Sequence, residues 1–230
     1  MSDARVVREV SSVSRGTSDG DLMALRGTRD GAVFTADWYL AAALEGRAFG
    51  VNTGTGTSPD TMTTTTLTVA KPDLAITVPA GTTIIPVLIE YSIEDTDGAG
   101  VLDVLAMASS ATTQVLSGGD SLTIHNMRTD KPNSSNCSAA AVLASSGVTP
   151  YTGNFIEFFR GYAGDVTDQH NSSTAQTVAT ASRFSWTAAN TMVPPILTGV
   201  SQLCVYCTGP GALTGWITAI WVEFPSSSIV

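Results

Sequence analysis

Charged side chains are scarce in this chain: 13% of its 230 residues are Asp, Glu, Lys or Arg, against about 25% in an average soluble domain. A solvated monomer surface normally carries more ions than this, whereas the cores of subunit interfaces are depleted in them. Much of the surface is therefore expected to face other protein. Lysine is nearly missing, with Lys71 and Lys131 alone, and the net charge is −9. Wrapping nucleic acid needs clustered cations to neutralise phosphate, so direct nucleic-acid binding is not expected. Three cysteines are too few for a disulfide framework and fit a reducing compartment and buried thiols. The apolar runs are short, as in Ile84–Ile89, which Pro86 interrupts, and fall far below the roughly 20 residues that span a bilayer. No membrane partner is expected. The first thirty residues hold Arg5, Arg8, Arg15, Arg26 and Arg29 without an apolar stretch, so no signal peptide is expected either.

Thr, Ser, Ala and Gly fill the space that charge leaves. Residues 1–30 show no sustained period, and their five Arg are matched by Asp3, Glu9, Asp19, Asp21 and Asp30. They read as an N-terminal arm preceding one domain over residues 31–230. The segment from Thr35 to Glu45 predicts a short helix: Thr35 is an N-cap candidate, three Ala follow one another, and Gly46 stands where a C′ glycine ends a helix. Trp38, Leu40 and Leu44 would be its apolar contacts.

Strands and turns are expected after it. Thr61–Ala70 is a run of β-branched residues. In Thr82–Glu94, Val87, Ile89, Tyr91 and Ile93 alternate with Leu88, Glu90, Ser92 and Glu94, the period of two of a strand. Pro86 has no N–H to give a ladder, so this strand lies at an edge or is bulged there. The turn at Asp95–Gly100 then predicts a hairpin with Val101–Ala108. Further candidates are Thr112–Leu116, Ser121–His125, Ser138–Leu143, Phe155–Arg160, Gln176–Trp186, Gln202–Cys207 and Trp216–Phe224. Recurring turns and a single helix give an all-β chain, an antiparallel sandwich or barrel.

The final strand is apolar on both faces. Trp216, Thr218, Ile220, Val222 and Phe224 line one; Ile217, Ala219, Trp221 and Glu223 line the other. A strand covered on both sides reads this way. A sandwich covers one face, so the outer set, taken as the one holding Ile217 and Trp221, is expected to meet a neighbouring subunit, the alternative being a helix lying on it.

Catalytic patterns are weak. Cys204 and Cys207 have C-x-x-C spacing, but strand residues three apart point to opposite faces, so a shared metal is not expected. Gly50–Gly56 lacks the Lys and helix of a phosphate loop. His125 and His170 are isolated. Glu94, Asp95 and Asp97 sit in one turn and lack the full calcium-loop pattern. No catalytic residue, metal or cofactor is assigned.

In style the chain resembles the single jelly-roll proteins of viral particles, especially small shell or decorating proteins of bacteriophages. The resemblance rests on the arm, the helix at Thr35–Glu45, the passage Val78–Pro86, the loop Asn126–Pro132 and the terminal strand Gly215–Pro225. It implies an antiparallel β-sandwich of jelly-roll type, packed side by side in a symmetric assembly with the arm tying neighbours together. The expected location is the virion, after synthesis in the host cytoplasm, and the expected partners are copies of itself and other virion proteins. Arg5, Arg8 and Arg15 of the arm, with Trp38, Leu40, Ile217 and Trp221, are the candidate subunit contacts. The balanced arm departs from the basic arms of proteins that package RNA, which favours a shell or decorating role. The alternative is a trimeric receptor- or glycan-binding module of a fibre or appendage. Loops 126–136 and 190–199 would then form the binding end, and Trp186, Tyr151 or Tyr162 would stack on a sugar. An enzyme on the same fold is disfavoured, since two His cannot supply a cupin metal site.

Overall fold

The computed structural model of the protein describes residues 37–62, 66–69, 71–96, 101–110, 115–116, 119–130, 133–141, 148–149, 155–164, 182–191, 193–209, 211 and 213–228. The chain divides into two units, Met1–Ala41 and Ala42–Val230. The N-terminal arm lies outside the described residues. The expected helix is there, as α1 (Trp38–Leu44). It stops where the sequence says: Gly46 has φ 73°, and the N–H groups of Gly46 and Arg47 turn back to the carbonyls of Ala43 and Ala42, a glycine C-terminal cap.

The second unit is a β-sandwich whose strands pair in nested order. Its long strands are β1 (Ala48–Asn52), β3 (Leu74–Val78), β4 (Thr82–Thr96), β5 (Val101–Ser110), β11 (Phe155–Gly164), β12 (Ser182–Thr187), β14 (Ser201–Thr208) and β15 (Leu213–Pro225). The first of these pairs with the last, β1 with β15; β3 pairs with β14, β4 with β12 and β5 with β11. The ribbon so formed then folds back on itself, bringing β15 beside β4 and β14 beside β5. One sheet therefore runs β12-β4-β15-β1 and the other β11-β5-β14-β3. A core including Phe49, Ile76, Ile89, Tyr91, Leu203, Ile217 and Trp221 is shared by the two sheets.

Short strands extend one flank. The stretch between β5 and β11 holds β6 (Val115–Leu116), β7 (Asp120–Leu122), β8 (His125–Asn126), β9 (Ser138–Ala141) and β10 (Val148–Thr149). It crosses to the far side of the sandwich, where β8 continues the first sheet beyond β1 and β9 and β7 continue the second beyond β3. β6 and β10 pair with each other. Two more short strands, β2 (Asp60–Met62) and β13 (Leu197–Thr198), pair with β15 and β4.

Several sequence expectations are met residue by residue. Ile89, Tyr91 and Ile93 are core, while Glu90 and Ser92 face away. β4 is bulged at Pro86: Ile220 opposes Leu88 but Trp221 opposes Pro86, which leaves Val87 unmatched. Proline is thus accommodated inside a sheet at the point where the ladder is already broken. Other expectations are corrected. β4 and β5 lie in different sheets and form no hairpin. The Thr-rich run is strand only over Asp60–Met62 among its described residues; Thr66–Val69 lies over the outer face of the second sheet. There Leu67 packs on Leu105, Met107, Cys204 and Tyr206, and the Tyr206 hydroxyl donates to the Val69 carbonyl at 2.9 Å. Within the glycine-bearing stretch Gly50–Gly56, Gly50 belongs to β1 and pairs with Ile220. A side chain there would meet the Met127 sulfur at 2.9 Å, so Met127 packs over this glycine.

Candidate functional site

The structure corrects two of the expected subunit contacts. Ile217 and Trp221 are 0% exposed and belong to the chain's own core, so neither is available to a second copy. Trp221 lies 6.5 Å from the Phe49 ring and its indole N–H donates to Glu223 at 3.0 Å. Glu223 is buried as well; it also accepts the Asn136 N–H at 3.1 Å and the Ser135 hydroxyl. A buried carboxylate supplied with donors in this way is a structural joint, tying residues 135–136 to β15. Trp38 and Leu40 are exposed on α1. Arg5, Arg8 and Arg15 lie outside the described residues.

The loops proposed as a binding end are fastened to the chain itself. Asn126 and Asn133 each donate a side-chain amide N–H to the Gly46 carbonyl, and the Arg128 guanidinium donates to the Leu44 carbonyl. These groups satisfy carbonyls that the end of α1 leaves open. Arg128 is in turn held by Asp130. In the other loop, Leu197–Thr198 is strand β13, while Val193 and Ile196 are exposed. Of the aromatic residues proposed to stack on sugar, Trp186 is buried against Phe158 at 4.9 Å between ring centroids. Tyr162 is exposed with the Arg160 guanidinium over its ring, and Tyr151 lies outside the described residues.

The cysteine expectation holds. Cys207 points into the main core, whereas Cys204 lies in the small cluster on the opposite face of β14. Burial pushes the Cys204 thiol up to about 12, and burial, with Asp73 and Asp103 nearby, pushes Cys207 well above its ordinary value. The Asp73 carboxylate accepts the Cys207 backbone N–H at 2.6 Å. Burial, and then Glu223, also raises Cys137. Among the described residues no three His, Cys, Asp or Glu side chains gather as a metal site, and no helix is long and apolar enough to cross a membrane. His170 and Asp97 lie outside the described residues.

Two surface features remain. The first is a recess of about 450 Å³ lined by Asn52, Thr55, Ser121, Thr123 and His125, among others. Its walls offer hydroxyl, amide and imidazole groups, which can hydrogen-bond a polar ligand. Asp60, nearby in sequence to this wall, has its carboxyl raised, chiefly by desolvation and further by Asp120, against the opposing pull of the Thr61 N–H.

The second is the outer strand of the second sheet. Among the described residues β11 ends that sheet, bonded to β5 on one side. Phe155 is 52% exposed, Ile156 58% and Tyr162 61%, and Val101, opposite Gly164 on β5, is exposed too. Between the apolar residues sit Glu157 and Arg160, paired with each other at 3.4 Å; Arg160 also bonds Asp103 at 2.7 Å. Phe158 and Phe159 turn inward and pack on the core, which a register shift between Glu157 and Phe159 permits. Sequence reasoning placed a strand here but missed its surface role. The available signal was the pair Phe158-Phe159, which interrupts strict alternation and so marks a bulge.

Comparison with protein families, with curated proteins and with solved structures gives no match for this chain.

Proposed function

We propose that this protein is a virion structural protein, a shell or decorating subunit that self-assembles by side-by-side packing of its sandwich and by exchange of its N-terminal arm. We read the nested ribbon of strands as a jelly roll, which is built from two Greek keys in facing sheets. The observation that carries the self-assembly reading is the exposed row Phe155, Ile156 and Tyr162 on β11, in a chain with 13% charged residues. Apolar surface gathered at a sheet edge is what monomeric proteins avoid. The virion role itself comes from the resemblance to phage jelly-roll proteins. Its partners are then copies of itself and other virion proteins, and its location is the particle.

Light scattering across a hundredfold range of concentration, followed by negative-stain images, tests this reading. Discrete oligomers, rings or closed particles are expected. A monomer at every concentration overturns it.

The polar recess around Asn52, Thr123 and His125 favours the second reading, a trimeric receptor- or glycan-binding module of a fibre or appendage. A glycan array probed with the protein at high concentration tests it, and an absence of hits removes it.

A further inference from the structure

We propose that β11 pairs edge to edge with β11 of a second copy, antiparallel, about a twofold axis passing between Phe158 and Phe159. The inference rests on the self-assembly reading above and names the surface and the register that serve it.

A strand at the end of a sheet presents a row of backbone donors and acceptors that template another strand, and proteins normally blunt such edges with Lys, Pro, brevity or a bulge; the bulge of β11 interrupts its edge between Glu157 and Phe159. β11 has ten residues, FIEFFRGYAG, with neither Lys nor Pro. The charges it carries are Glu157 and Arg160, of opposite sign. That pattern invites a partner of the same sequence.

Self-pairing about a twofold axis leaves one free choice, the register. Setting Glu157 of one copy opposite Arg160 of the other fixes it. The remaining pairs then follow: Phe155 opposite Tyr162, Ile156 opposite Gly161, and Phe158 opposite Phe159. Each is chemically matched. Aromatic residues face one another across the strands, an arrangement favourable in antiparallel sheets. The exposed Ile156 meets a glycine, which brings no side chain of its own. Opposite charges meet at Glu157 and Arg160. Centring the axis on Glu157 or on Arg160 instead sets like charges against each other, which destabilises a pair.

The faces agree as well, and they do so because of the bulge. Residues three apart in a regular strand point to opposite sides, so Glu157 and Arg160 would be separated by the sheet. The register shift between Glu157 and Phe159 restores them to one side. Phe155, Glu157, Arg160 and Tyr162 oppose Ser109, Met107, Leu105 and Asp103, alternate residues of β5. The inward set, Ile156, Phe158, Phe159 and Gly161, matches itself on the other side. At Gly161 a Cβ would meet Phe184 at 2.9 Å and Val104 at 3.0 Å, so the chain's own side chains fill the space over this position and it stays glycine. The irregular centre breaks the new ladder into two arms, 155–157 and 160–162, each copy contributing one strand to both.

Site-specific crosslinking tests the register. Phe155→Cys protein is mixed with Tyr162→Cys protein under mild oxidation; the native cysteines are buried and stay out of the reaction. A disulfide-linked heterodimer is expected, since the two positions oppose each other within the roughly 5–6 Å between Cα atoms that a disulfide spans. Either variant alone should give little, because its two copies of the new cysteine lie about 23 Å apart at roughly 3.3 Å per residue. As a second measure, Ile156→Lys places a charge on the edge at an exposed position. It should weaken self-association in sedimentation experiments at least about tenfold, while the thermal midpoint measured at a dilution where both proteins are monomeric stays put. Wild-type protein that associates, yet gives no excess of mixed disulfide and is indifferent to Ile156→Lys, overturns the β11 pairing and leaves self-assembly standing. Wild-type protein that remains a monomer overturns both.

Discussion

Replacing Trp221 by Ala separates a residue that holds one chain together from one that joins two chains. Trp221 is fully buried, packed on Phe49 and bonded to Glu223. Truncating a buried Trp to Ala costs about 3–5 kcal/mol. The lost indole N–H removes one donor from Glu223, which keeps Ser135 and Asn136; that adds about 1 kcal/mol. A total of about 4–6 kcal/mol corresponds to a fall in thermal midpoint of roughly 8–24 °C for a domain of this size. Trp221→Phe keeps a ring against Phe49 and should recover about half of the loss. Circular dichroism melts at two protein concentrations tenfold apart provide the assay. The difference between variant and wild type should be the same at both, because stability gained through association depends on concentration and a residue in the chain's own core does not act that way. A midpoint change under about 3 °C, with association weakened instead, refutes the reasoning and returns Trp221 to an interface.

Three further predictions concern other buried groups. Gln202 is fully buried, and both polar atoms of its amide find no hydrogen-bond partner among the described residues. Gln202→Met keeps the volume and removes the orphaned groups, so urea unfolding should show a gain of about 1–2 kcal/mol; a loss of that size would show the amide to be bonded. Cys137, Cys204 and Cys207 are buried with raised thiols, so a chromogenic thiol reagent at about pH 8 should label none in the native protein and all after unfolding, thiolate being the reactive form. Labelling of the native protein at the rate of a free thiol would contradict this. Asp60 is held above its ordinary value mainly by desolvation, so the folded state keeps a proton that the unfolded state releases above about pH 3.9. Its contribution is present in acid and is lost as pH rises through the folded value. The thermal midpoint of Asp60→Asn relative to wild type should therefore be more favourable at about pH 7 than at about pH 4; an equal or reversed difference counts against it.

What the sequence disclosed depended on whether a local signal agreed with a global one. The alternation of Ile89, Tyr91 and Ile93 with Glu90 and Ser92 was legible because one face is apolar and the other is not. Gly46 and Pro86 were legible because each residue's backbone chemistry allows few settings. The opposite faces of Cys204 and Cys207 followed from strand period alone. β15 defeated the same reasoning. Both of its faces are apolar, so period two cannot say which is inward. Alternation itself holds along it, with Leu213, Gly215, Ile217, Ala219, Trp221 and Glu223 buried, but Val222 on the other face is buried as well. β3, LAITV, is buried throughout and so carries no alternation either. The flank at β11 was hidden for a different reason: being an edge is a property of strand order, which pairings far apart in sequence decide.

The position of β15 governs how the molecule can be made. It is the last strand in sequence, yet it sits between β4 and β1, so until it leaves the ribosome the first sheet exists only as two halves with a gap between them. A nascent chain therefore cannot complete its sandwich before synthesis of residues 213–225 is over.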